Sequence, residues 1–212
     1  MARFGKILIV LLVLLSRAGL VWGEEADDAR KKTLQFPSPD GRFAFRYSGG
    51  KSEDEVQTYD LIDKASRKVV TKVAESDPDA GPSMRFTMEK VLWRADSKAF
   101  ALTAFLWKRG SALIVFERDG SAFREIELPD LSIEIPEKAK KGKDFPHIVE
   151  LDSAKAKRWQ KDGSLVVEIE TIQDGGGDGA TITANRTVVL GFDHSAKAKI
   201  LKSTVKFAVE KE

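Results

Sequence analysis

The chain has 212 residues, 42% hydrophobic and 32% charged, with 35 basic against 33 acidic residues. That balance excludes disorder throughout, which needs low hydrophobicity and a large charge imbalance. At net +2 it argues against nucleic-acid binding by bulk positive charge, and the absence of cysteine removes disulfides, thiol nucleophiles and thiolate metal sites.

At the N-terminus, Arg3 and Lys6 precede the apolar run Ile7–Leu15, and Ser16-Arg17 interrupts it. A basic start, a short apolar stretch and small residues after it predict a secretory signal peptide over residues 1–23, cleaved after Val21-Trp22-Gly23. Nine residues rise only about 14 Å as a helix, short of the roughly 20 residues a membrane span needs. Cleavage removes Arg3, Lys6 and Arg17, so the mature charge becomes −1. Residues 24–33, opening with Glu24-Glu25-Ala26-Asp27-Asp28, are expected to be a flexible acidic segment. The expected location is periplasmic or secreted.

From residue 34 onward the chain repeats. Ser38-Pro39-Asp40-Gly41-Arg42, Arg94-Ala95-Asp96-Ser97-Lys98 and Gln160-Lys161-Asp162-Gly163-Ser164 each place an Asp and a small residue between β-rich runs. An Asp there bonds its own downstream backbone, and Gly or Ser tolerates the tight turn. A second turn follows at Asp63, Asp119 and Asp193. The interval from first to second Asp is 23 residues in units one and two, and 31 in unit three. The surplus is assigned to the Gly-rich stretch Asp174–Gly179. Phe43, Phe45 and Tyr47, then Ile126 and Leu128, then Val205, Phe207 and Val209 alternate with smaller or polar residues, which predicts strands with one buried face. In unit two the predicted strands are Arg85–Trp93, Ala99–Trp107, Leu113–Glu117 and Ala122–Leu128. The one stretch with a competing helical reading is Ile148–Trp159, where Lys155, Lys157 and Arg158 would form a solvated face.

These turns and their alternating runs resemble the blade signature of TolB-type (WD40-like) β-propellers, with Trp93-Arg94-Ala95-Asp96-Ser97-Lys98 similar to the usual Trp-Ser-Pro-Asp-Gly-Lys. The resemblance covers roughly Leu34–Ala208. It implies an all-β fold of three propeller-like four-stranded antiparallel units, about 34–80, 84–130 and 145–209, within one domain over 34–212. It also implies a surface that binds other proteins, and no catalysis. Closed propellers have about four to eight blades, so three blades are expected to stay open, pack differently or close as a homodimer.

Few residues suggest chemistry. Asp174 and Asp178 flank glycines and offer oxygen ligands to Ca²⁺, although the stretch lacks the acidic positions and terminal Glu of an EF-hand loop. Asp193-His194-Ser195 holds the residue types of a hydrolytic triad, but neighbours on a strand point to opposite faces, so a turn is the expected role. The only histidines, His147 and His194, lack zinc-ligand spacing. Ser48/Lys51 and Ser203/Lys206 match a Ser-Lys nucleophile spacing that occurs by chance, and neither opens a helix. Trp93 and Trp159 sit at matching repeat positions and are expected in the core, while Trp107, with Phe105, is the candidate aromatic contact. Residues 137–161 carry a net +4, led by Lys138, Lys140, Lys141 and Lys143, which suits an acidic protein or an anionic envelope polymer. No cofactor, nucleic acid or stable membrane span is expected. The function expected is an exported, non-catalytic binding or scaffold module of the cell envelope; the alternative is a small secreted hydrolase using paired carboxylates.

Overall fold

The computed structural model describes residues 34–48, 58–75, 86–106, 110–176, 179–193 and 195–211; of 86–89, 105 and 106, and of 75 and 211, only the backbone is described. The signal peptide, the acidic segment, Trp107, Asp178 and His194 lie outside these residues. The chain divides at Thr33/Leu34, and every described residue belongs to the unit from Leu34.

That unit is built of three four-stranded antiparallel sheets, none closed into a barrel. Sheet 1 runs β1 (Leu34–Gln35), β2 (Phe43–Ser48), β3 (Thr58–Asp63), β4 (Val69–Glu75). Sheet 2 runs β5 (Phe86–Trp93), β6 (Ala99–Leu106), β7 (Gly110–Asp119), β8 (Ala122–Glu125). Sheet 3 runs β9 (His147–Trp159), β10 (Leu165–Asp174), β11 (Ala180–Phe192), β12 (Ala198–Lys211). Each is a meander in which neighbours in sequence are neighbours in space. One helical turn, α1 (Glu137–Lys140), lies in the connection between sheets 2 and 3.

Period-two alternation explains the stacking. In sheet 2, Phe100, Leu102 and Phe116 point to one face and join Phe43, Phe45, Leu61 and Val73 of sheet 1. Ala101, Leu113 and Val115 point to the other and join Leu165, Val167, Ile169, Val188 and Leu190 of sheet 3. Sheet 2 is therefore apolar on both sides and shares a core with each neighbour. The first core is aromatic: Phe100 meets Phe45 edge-on at 5.1 Å and stacks on Phe116 at 5.0 Å. Such pairs add about 0.5–1.5 kcal/mol beyond their buried area.

The three Asp turns are built alike. Asp40, Asp96 and Asp162 each accept, through Oδ1, the backbone N–H two residues on, from Arg42, Lys98 and Ser164 at 2.9–3.0 Å. Gly41, Ser97 and Gly163 hold φ of +72°, +58° and +85°, and each donates its N–H back to the residue three before it. Each turn then leads into an antiparallel strand.

Three expectations need correction, and the stretch with two readings, 148–159, is a strand, part of β9. Ser153, Ala154 and Ala156 are buried there, and their small side chains let β7 approach so closely that a Cβ on Gly110 would lie 3.1 Å from the Leu151 carbonyl oxygen. The long interval of unit three is mostly longer strand: β10 and β11 have 10 and 13 residues against 8 and 10 in β6 and β7. β8 stops at Glu125; Ile126 still donates to the Val115 carbonyl, but Glu127 then pairs in parallel with Lys197 ahead of β12. Finally, Val205 and Phe207 alternate as predicted yet remain 42% and 37% exposed.

Candidate functional site

The basic connection is anchored rather than loose. Phe145, 6% exposed, joins Ala180 and Ile182 of β11, with Ile135, Ala139 and Val209 packed around them. These apolar contacts hold α1 against one end of sheet 3. Pro136 precedes the turn with extended backbone, Ala139 donates to its carbonyl at 2.8 Å, and Lys141 ends the turn at φ +53°. Lys138 and Lys141 are exposed, and Lys140 pairs with Glu137 at 2.6 Å. An exposed pair of this kind contributes about 0.5 kcal/mol at most. Lys143 donates its N–H to the Lys140 carbonyl, folding the four lysines into one compact turn.

The remainder of the expected basic patch lies elsewhere. Lys155, Lys157 and Arg158 are on β9, at the opposite edge of sheet 3 from β12, and Lys157 is paired with Glu168 at 2.7 Å. α1 lies beside β12 at Val209, while the exposed Lys202 and Lys206 lie on the other face of that strand.

The Ca²⁺ candidate sits at the same end of sheet 3. Asp174 closes β10 opposite His147, and its Oδ1 already accepts the N–H of Gly176, an Asx turn. Gly176 has φ +69°, and a Cβ there would come within 3.3 Å of His147 Nε2. No group of three or more acidic or imidazole side chains with metal-binding geometry occurs among the described residues.

The other chemical candidates fall to local roles. Ser195 donates both its N–H and its hydroxyl to Asp193 Oδ1, within the β11–β12 connection. Ser203 and Lys206 lie on opposite faces of β12, because they are three positions apart on a strand. Trp93 and Trp159 bind sheets together: the Trp93 indole donates to the Phe36 carbonyl at 3.0 Å, and Trp159 to the Leu92 carbonyl at 2.8 Å. Both acceptors sit four residues before the turn Asp of the preceding unit, so the two contacts are equivalent. Arg94 packs over the Trp159 ring while bonding Asp96.

Where a carboxyl pKa departs from its ordinary value among the described residues, the cause is turn bonding. The Ser66 N–H and the Arg42 guanidinium hold Asp63 down to about 2. The Ser164 hydroxyl and N–H lower Asp162, and the Ser132 N–H lowers Asp130. Partial burial works against ionisation at Asp40 and Asp96, yet bonds from Ser38 and Arg42, and from Arg94 and Lys98, still lower both. Compared with known proteins, the chain matches no family model and no curated protein.

Proposed function

We propose that this chain is an exported, non-catalytic binding or scaffold module of the cell envelope, with TolB-like blades and an anionic partner, either an acidic protein or an envelope polymer. The observation that carries the reading is the lysine turn. Phe145 straps the segment that carries the four lysines, so their backbone positions are set by the fold before a partner arrives, which lowers the entropic cost of binding. A turn on which Lys138 and Lys141 stay exposed attracts a polyanion electrostatically, and that attraction weakens with salt. Export rests on the predicted signal peptide, and intact-mass measurement of the exported protein is expected to show a chain starting near Glu24. Recovery of a chain retaining residues 1–23 would remove the export part of the proposal.

The test is binding to immobilised poly-L-glutamate and to an anionic polysaccharide, at low and at high salt. The wild type is expected to bind at low salt and release at high salt. Changing Lys138, Lys140, Lys141 and Lys143 together to Glu is expected to abolish retention without lowering the melting temperature. Equal retention of the two proteins would overturn the assignment.

A further inference from the structure

The Val205–Phe207 face that the chain leaves uncovered belongs to the longest strand described, β12, and β12 is an edge. On one side it pairs with β11 from Ala198 to Lys211. On the other it pairs with no strand among the described residues, and residues 201–208 are all exposed. Val205 and Phe207 share a face with Ile182, Val188 and Leu190, which are fully buried. The connection from sheet 2 covers that face in two places, through Leu131 and Ile133 and through Ile135 and Ala139, and neither cluster takes in Val205 or Phe207. A long, apolar, unpaired edge is a template for another strand.

We propose that the protein dimerises about a two-fold axis by antiparallel pairing of β12 with β12 of a second copy, with Ala208 opposite its own counterpart. The proposal goes beyond the anionic-partner reading and does not depend on it. In an antiparallel pair, directly opposite residues share a face. A two-fold relating two copies of one strand must therefore pass through a residue, which leaves few registers.

The charges select among them. A dyad at Ala208 sets Lys206 opposite Glu210 on the outer face, twice, and Phe207 opposite Val209 on the apolar face, twice. A dyad at Thr204 sets Lys202 opposite Lys206, and a dyad at Lys206 sets that lysine opposite itself at the centre, between two Lys202–Glu210 pairs. Like charges directly opposite destabilise a strand pair. Dyads at Val205 or Phe207 form no pair among Lys202, Lys206 and Glu210. Within β12 the dyad at Ala208 is thus the one of these registers that pairs unlike charges without opposing like ones, and it joins two sheets 3 into an eight-stranded sheet. It also sets two lysine turns about one axis.

Two experiments test this. The chain has no native cysteine, so an introduced one reports alone. Opposite Cα atoms in a strand pair lie about 4.5–5.5 Å apart, within the range a disulfide spans. Ala208→Cys is expected to cross-link into a dimer under mild oxidation, whereas Thr204→Cys, whose copies would sit about 27 Å apart at 3.4 Å per residue, is not. In sedimentation, the wild type is expected to be a dimer. Lys206→Glu or Glu210→Lys alone is expected to weaken dimerisation by about tenfold, and the double exchange to restore it. A monomeric wild type, equal cross-linking at positions 204 and 208, or a double exchange as weak as the single changes would overturn the proposal.

Discussion

Two indole N–H groups set how neighbouring sheets meet. Trp93 and Trp159 each reach a carbonyl of the preceding unit, Phe36 and Leu92, in equivalent positions. Replacing either Trp by Phe keeps an aromatic ring but removes the indole donor and part of the packed ring system. The expected loss is about 1–3 kcal/mol for each, measured by urea denaturation. A second residue-scale effect is titration. Asp63 has its pKa held down to about 2 from 3.8, so its contribution to stability is present above pH 3.8 and is lost as pH falls through 2. Asp63→Asn is therefore expected to lower the melting temperature at pH 5, with the difference from wild type shrinking between pH 4 and pH 2. A difference that stays constant across that range would show that the turn is held by shape and not by charge.

Among the elements, the hairpin β10–β11 separates what a loop contributes from what a strand contributes. Gly175 donates to the Ala180 carbonyl at 2.8 Å, so these two residues close the hairpin around residues 176–179. Replacing 176–179 by Asn-Gly keeps the closing pair and matches a favoured two-residue turn. The melting temperature is expected to change by no more than a few degrees, because shortening a loop alters closure entropy by about 0.6 kcal/mol per halving. Deleting Gln173–Ala180 instead removes the pairs Gln173↔Ile182 and Asp174↔Thr181 and strips Ala180 from beneath Phe145. That deletion is expected to destabilise by several kcal/mol. Melts with Ca²⁺ and with chelator are expected to superimpose, since no group of three or more acidic or imidazole side chains gathers around Asp174 among the described residues. The sequence located this hairpin but placed its extra length in the glycines, because spacing between turns counts residues without saying which of them are paired.

For the whole unit, sheet 2 is the common element, and its Phe100 is fully buried against both Phe45 and Phe116. Phe100→Ala is expected to cost about 3–5 kcal/mol. Because sheet 2 supplies one face to each core, loss of its packing is expected to unfold all three sheets together. Far-UV circular dichroism and tryptophan fluorescence are then expected to follow one transition, with the same midpoint. Two separated midpoints would mean that sheet 3 holds its core without sheet 2.

The sequence by itself determined the all-β class, the three repeated turns and the wedge positions of Trp93 and Trp159. The class and the turns depend on contacts within a few residues, namely an Asp bonding the N–H two residues on, a residue of positive φ next to it and a period-two strand after it, and the two Trp follow from their place before those turns. Local bonding leaves a local pattern. Tertiary structure decided the rest. Ser153, Ala154 and Ala156 do not favour strand over helix until β7 approaches them, so β9 was ambiguous in the sequence. The lysines of 138–143 and 155–158 are close in sequence, yet β9 carries the second group to the other edge of sheet 3. Val205 and Phe207 have the pattern of core residues, and whether a face is covered depends on where a connection more than 60 residues earlier comes to lie. Alternation specifies that a strand has two faces, and only packing decides what each face meets.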